Sequence, residues 1–342
     1  MATIYDIAKA AGVTATTVSY VLSGKGSISA ATRERVLQYA QELGYRPNLI
    51  ARSLIKQETH TIGLVIPHIT NPFYAEIAEI LERRAYAAGF RTFITNTYED
   101  ERFGKELLDD LASRRVDGII ALPGGIALQA LESMNASGLL VVCCLWEEEE
   151  KQTISPSIEF DFLTGGQLVA RHLLESGHRR IGLIVDGIPD GRVDHHLRFS
   201  GCLQVLAEAG IPLEPDLLQW GDSSLQSGKL AAERLLALPE PPTAIFATND
   251  QMAIGAINAA WQCGLALPRD LSVVGFDDIL MAPFTAPPLT TISIDKDALI
   301  SSAMSVLMSM IEGKPVTLPA PLAPNLMVRE STAPPRARGD GP

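Results

Sequence analysis

The chain has 342 residues, 46% of them hydrophobic and 20% charged, enough apolar material for one large core beside a smaller one. No run approaches the ~18 uninterrupted apolar residues of a membrane span, and the opening Met1-Ala2-Thr3-Ile4-Tyr5-Asp6 lacks the features of a secretory signal, so a cytoplasmic protein is expected. The net charge of −12 is unevenly placed: residues 1–60 hold seven Lys and Arg against four Asp and Glu, or +3, which leaves −15 on the remainder and makes the first sixty residues the part suited to a polyanion.

Ile4 to Ala10 has the spacing of a short helix, with Ile4, Ile7 and Ala8 on one face. Gly12 breaks it, and Thr14 can cap a second helix reaching Leu22, whose inward face is Val18, Val21 and Leu22. Two short helices joined by a glycine-containing turn make a helix-turn-helix. Ser29 can cap a third helix to Leu43, with Val36, Leu37, Ala40 and Leu43 closing a three-helix core before Gly44 stops it. The second helix of such a unit enters the major groove. Its outward residues Ala15, Thr16, Thr17, Ser19 and Tyr20 offer hydroxyls to bases or phosphates and a methyl to thymine, although the same pattern also describes a plain polar face. Pro47 then opens a segment through Leu54 that carries Arg52. A helix shorter than ~12 residues is marginal in water, so this one is expected to form when docked, with Leu54 suited to part a base step in the minor groove.

From His60 onward, short apolar runs alternate with helix-length amphipathic stretches. Strands are expected at Thr61–Ile66, Arg91–Asn96, Val116–Leu122, Leu139–Leu145, Arg180–Val185, Ala244–Thr248 and Leu271–Phe276, with a helix from Phe73 to Ala88 after the first. That alternation implies α/β architecture, two doubly wound parallel sheets that divide near residue 160. Ligands of such sheets gather at the carboxyl ends of the strands. The residues there are Asn71 and Phe73, Asp186 to Arg198, Asn249 and Asp250, and Asp277 and Asp278. Aromatic, amide, carboxylate and guanidinium groups together suit a sugar, whose ring stacks while its hydroxyls bond.

Other patterns exclude chemistry. Cys143, Cys144, Cys202 and Cys263 form no C-x-x-C pair, so buried reduced thiols are expected. Asp194-His195-His196 reads as a pocket rim, since adjacent histidines point apart, and no metal or cofactor is expected. Glu147 to Glu150 reads as a solvated loop. Gly221 to Lys229 fails the phosphate-loop spacing, and no nucleophile elbow occurs, so no enzyme is expected.

Ile4-Tyr5-Asp6-Ile7-Ala8, Ala11-Gly12-Val13-Thr14, Thr17-Val18-Ser19 and Tyr45-x-Pro47-Asn48-x-x-Ala51-Arg52-x-Leu54 together resemble the headpiece and hinge of the lactose-repressor (LacI/GalR) family. Asn71-Pro72-Phe73, Gly177-His178, Arg198-x-x-Gly201, Thr248-Asn249-Asp250, Val274 to Asp278 and Pro288 to Ile292 resemble its effector core, which looks like a periplasmic sugar-binding protein. The resemblance implies a headpiece at 1–46, a hinge at 47–59, and a core at 60–331. The core divides into one half at about 60–159 and 293–320 and another at about 160–292 and 321–331. The tail 332–342 is expected to be disordered. Base reading is implied for Ala15, Thr16 and Tyr20, phosphate contacts for Tyr5, Ser19, Ser23 and Thr32, and hinge contacts for Asn48, Ala51, Arg52 and the intercalating Leu54. Thr14 and Thr17 complete the DNA set. Arg198, Asn249, Asp277 and Phe73 fall on effector-binding positions, with Asn71 beside them, and Arg192 and Asp194 on positions that vary with the ligand.

Two departures bear on that ligand. Leu145, followed by Trp146, stands where the family has an aspartate, and Ser223 where it has an aromatic. The tail has prolines at 334 and 335 and no leucine heptad, so a homodimer on a pseudo-palindromic operator is expected rather than a tetramer. The effector is expected to be a sugar that relieves repression, with a purine corepressor as the alternative. A transporter's solute-binding protein is the next.

Overall fold

The computed structural model describes residues 2–24, 26–45, 58–145, 155–187 and 196–336, and the chain divides into a helical unit ending at Thr59 and an α/β unit from His60. In the first unit, α1 (Ile4–Ala11) opens on a capping box in which the Thr3 hydroxyl accepts from the Asp6 N–H, while the Asp6 carboxylate accepts from the Thr3 N–H at 2.8 Å. Gly12, at φ 64°, turns the chain toward α2 (Ala15–Ser23), which Thr14 caps. Ser29 caps α3 (Ala30–Glu42). Ile7, Ala8, Ala11, Val18, Val21, Val36 and Ala40 form the core.

Leu37 and Leu43, expected in that core, are 48% and 42% exposed. The inward stripe of α3 runs through Val36 and Ala40, and a step of about 100° per residue carries Leu37 off it. Leu43 lies past the last helical residue, where Gly44 turns the chain. Ile28, Tyr39 and Tyr45 pack against the core instead. Asn48, Ala51, Arg52 and Leu54 lie outside the described residues, as do Trp146, Glu147 to Glu150, Arg192 and Asp194.

The second unit holds two sheets. The first consists of β1 (Thr61–Ile66), β2 (Arg91–Asn96), β3 (Gly118–Ala121), β4 (Val141–Cys144) and β5 (Ser157–Ile158), in the order β2-β1-β3-β4-β5 and parallel throughout. Alternate strand residues feed two cores, because successive side chains point to opposite faces. Ile62, Leu64, Ile66, Ile120, Val142 and Cys144 meet α4 (Pro72–Ala87) and α11 (Lys296–Ile311). Val65, Ile119, Ala121, Val141 and Cys143 meet α5 (Glu101–Ser113) and α6 (Leu128–Ala136). Adjacent Cys143 and Cys144 therefore face opposite sides of one sheet.

The second sheet has β6 (Ile181–Asp186), β7 (Leu218–Gly221), β8 (Ala244–Ala247), β9 (Ser272–Asp277), β10 (Thr290–Ser293) and β11 (Asn325–Met327), in the order β11-β10-β9-β8-β6-β7. Its pairings are parallel except that of β10 with β11. Helix α7 (Phe162–Glu175) packs on α8 (His196–Glu208), and α9 (Leu225–Leu236) on α10 (Asp250–Gln262). Both pairs cross at glycines. A Cβ on Gly166 would stand 1.9 Å from the Arg198 carbonyl oxygen, and one on Gly201 2.0 Å from that of Leu163. Gly228 and Gly255 serve α9 and α10 in the same way. Strands β5, β7, β10 and β11 have no counterpart in the sequence reading, being two to four residues long without continuous apolar runs.

The chain passes between the sheets at 158–162, 293–296 and 311–325, where Phe160 bridges to Leu322. Residues 332–336, expected to be without order, run along the second half. The Ala333 carbonyl accepts from Ser272 Oγ (3.0 Å) and lies 2.9 Å from His178 Nε2, while Thr332 Oγ1 lies 3.0 Å from His172 Nε2. Among the described residues no helix is long and apolar enough to cross a membrane.

Candidate effector site and DNA interface

The strands of the second sheet end in polar residues. Asp186 ends β6, Ser223 follows β7, Thr248 and Asn249 follow β8, and Asp277 ends β9. Arg198 comes up from α8 into this row and is 4% exposed. Its Nη1 donates to the Thr248 carbonyl at 2.7 Å and to Asp277 Oδ1 at 3.1 Å. The guanidinium lies over the Phe162 ring at 4.6 Å and the Phe276 ring at 4.3 Å, so two aromatic faces fix its plane. The glycine crossing of α7 and α8 sets its approach, because Gly166 lets the Arg198 backbone come against α7.

Beside this group runs a chain of hydroxyl, amide and carboxylate. Asn249 caps α10 by accepting from the Met252 N–H (2.8 Å), and its Nδ2 donates to Ser223 Oγ (2.8 Å). The Ser223 hydroxyl donates in turn to the Asp186 carboxylate, while the Asp186 N–H donates to Thr248 Oγ1 (3.0 Å). Asp250, fully buried below, accepts from Thr291 Oγ1 (2.6 Å) and the Ile279 N–H (2.8 Å). Burial, with the Asp277 charge nearby, holds the Asp250 carboxyl well above the ordinary carboxylate range.

The opposing half contributes the start of α4. Asn71, singled out by sequence, caps this helix, its Oδ1 accepting from the Phe73 N–H at 3.0 Å. Phe73 is 4% exposed and packs in the core with the Lys296 ammonium 5.6 Å from its ring centre. Its neighbour Tyr74, which the sequence reading passed over, is half-buried on the same helix. The charges of Asp277, Arg198, Glu99 and Asp186 all act on the Tyr74 hydroxyl, and burial raises its pKa first of all. The helical period carries the information: Phe73 and Ile77 share the buried stripe, and the residue one step on from Phe73 leaves it. Leu145, at φ 60°, is buried at the end of β4. Among the described residues, no group of three or more His, Cys, Asp or Glu is arranged for a metal.

In the helical unit, Thr16, Ser19 and Tyr20 are exposed on α2, Tyr5 is 72% exposed on α1, and Ser23 is exposed where α2 ends. Thr14 and Thr17 share a hydroxyl contact of 2.9 Å at the start of α2, and Ser29 and Thr32 an equivalent one at α3. Ala15 is half-buried against the core. The exposed hydroxyls and the two helix starts suit phosphate contacts, since helix N-termini present free N–H groups to anions.

A small helix-turn-helix unit joined to a two-sheet binding core defines a ligand-responsive, DNA-binding transcription regulator rather than an enzyme. Residues 3–48 match the model of the lacI family of bacterial regulatory proteins, and residues 170–332 that of a periplasmic binding protein-like domain. The repressor PurR of Pasteurella multocida is 34% identical over 333 residues, 97% of this chain and 98% of its own. Two of the solved structures that align with 97% of the chain hold a small molecule. One is the Lac repressor dimer bound to operator and the anti-inducer ONPF, with TM-score 0.85, 30% identity and 99% of that chain covered. The other is a complex of the transcriptional regulator CelR with cellobiose, with TM-score 0.70, 28% identity and 100% of that chain covered. The chain belongs to the LacI family of bacterial regulatory proteins.

Proposed function

We propose that this regulator is a cytoplasmic repressor that grips a pseudo-palindromic operator as a homodimer and is released by a sugar held between the halves of its core. The observation that carries the sugar reading is the wall at the second sheet's edge, where the Arg198 guanidinium, the Asn249 amide and the Asp186 and Asp277 carboxylates alternate as donor and acceptor. A sugar hydroxyl both donates and accepts, so a row of this kind matches several hydroxyls at once. Tyr74 is the aromatic side chain proposed for the first half, and Arg192 and Asp194, on positions that vary with the ligand in this family, complete the proposed set. CelR, aligned along nearly all of this chain, is solved with cellobiose. A purine corepressor is the second reading, favoured by the similarity to PurR. A flat heteroaromatic ligand wants ring faces on both sides, however, and Ser223 puts a hydroxyl at the end of β7.

On DNA, Ala15, Thr16 and Tyr20 read bases. Tyr5, Thr14, Thr17, Ser19, Ser23 and Thr32 hold phosphates. Asn48, Ala51, Arg52 and Leu54 act in the hinge, Leu54 as a minor-groove wedge. Two such headpieces need a two-fold pair. Leu280, Met281 and Phe284, 69%, 54% and 76% exposed, supply an apolar face for it. The working divisions are a headpiece at 1–46, a hinge at 47–59 and a core at 60–331. Selection of duplexes from a randomised pool by the full chain tests this. Enrichment of an inverted repeat, lost in Leu54→Ala, is the expected result. Enrichment of an unpaired half-site, or an affinity indifferent to Leu54, would overturn the paired-hinge reading.

A further inference from the structure

Two side chains of the first half grip the backbone of the second immediately behind the effector wall. Lys296, at the start of α11, is 8% exposed. Its ammonium donates to the Asp277 carbonyl (3.0 Å) and the Asp278 carbonyl (2.8 Å), and pairs with Glu76 Oε2 on α4 (3.3 Å). Those three acceptors match its three N–H donors. Glu76 Oε1 accepts from the Leu280 N–H at 2.7 Å. The stretch 277–280 is therefore held at three backbone points by α4 and α11.

The grip depends on unusual backbone. Asp277 and Asp278 both have positive φ, 111° and 48°. In extended chain, successive carbonyls point in opposite directions; here the left-handed Asp278 between the two peptides lets both carbonyls meet one ammonium. Such conformations are costly for residues other than glycine and persist where their surroundings hold them. Asp277 thus has two roles at once: its carboxylate meets Arg198 and its carbonyl meets Lys296. Three residues on, Leu280 begins the exposed apolar face, and Glu76 lies two residues beyond Tyr74 on the same helix. A groove of about 600 Å3 whose lining includes Glu76, Asp278, Ser293, Asp295, Lys296 and Asn325 runs alongside.

We propose that Lys296 and Glu76 form the joint through which a change at the Asp277 carboxylate is passed to α4. They are positioning residues: neither needs to touch the ligand. Turning the Asp277 carboxylate toward a ligand rotates its peptide, shifts the two carbonyls on Lys296 and drags Glu76 through the Leu280 N–H. The inference rests on the reading of the wall as the effector site, so its test uses no ligand and can fail while a ligand screen succeeds.

The test is amide hydrogen exchange of the full chain, read over residues 72–87. Asp277→Asn perturbs the wall, and Arg198→Lys serves as a second perturbation should the first variant not fold. In the otherwise natural chain, either change is expected to alter exchange in 72–87 by roughly three- to tenfold, the range of couplings carried through packed networks. In a Lys296→Met background, close in volume but without the ammonium, the same change should leave 72–87 within error of Lys296→Met alone. A Lys296 that merely stabilises the core would raise exchange throughout and leave the response to the wall intact. That outcome, or no response in 72–87 in either background, overturns the proposal.

Discussion

The Arg198 guanidinium is oriented before any ligand arrives. Two phenyl faces, one carboxylate and one backbone carbonyl define its plane and direction, so a ligand meets a fork already in place. An ammonium has the charge without the planar fork. Arg198→Lys is therefore expected to leave the fold intact and weaken effector binding by about 2 kcal/mol, roughly thirtyfold, in calorimetry. An unchanged affinity would mean that charge alone is sensed. The neighbouring thiols take no part in such chemistry. Burial pushes Cys143 and Cys202 up to about 12 and Cys144 up as well, which keeps these three as protonated apolar filling, whereas Cys263, expected to be buried with them, is exposed.

At the level of elements, residues 332 and 333 are fastened to the second half of the core by two histidines. His178 is buried, with Nδ1 2.9 Å from Thr243 Oγ1 and Nε2 2.9 Å from the Ala333 carbonyl. Burial lowers its pKa below 6.5, with the cations of His172 and Arg179 acting the same way, and burial also lowers His172 beside Thr332. The unfolded chain then binds more protons than the native one, so stability rises with pH across this window. The contribution is complete above pH 6.5 and is lost as pH falls from there through the lower native values. Thermal melting should show the midpoint falling below pH 6.5, and His172→Gln with His178→Gln should flatten that slope. A slope unchanged in the double variant would put the titrating groups elsewhere. The Gly177-His178 pair was legible as a motif, but its partner lies 155 residues away and no local pattern announces it.

Across the whole molecule, what was legible follows periodicity. The helix caps at Thr14 and Ser29, the long buried strands and the two-sheet plan all come from spacing that repeats within a dozen residues. What was not legible depends on contacts between distant residues. Lys296 reads as an ordinary polar residue at a helix start, and only the fold brings it to Asp277, 19 residues back, and to Glu76. Tyr74 needed the phase of one helix to within a single residue. Leu37 and Leu43 show the opposite error, since apolar character did not guarantee a place in so small a core. The central claim concerns the ligand of the wall and is tested most directly by thermal melting of the full chain with sugars, sugar phosphates and purines. A ligand that binds the native state alone adds about 2.7 kcal/mol at 100 times its dissociation constant. The account predicts a raised midpoint with a sugar that is largely lost in Arg198→Lys; a shift produced by purines alone, or one indifferent to Arg198, would contradict it.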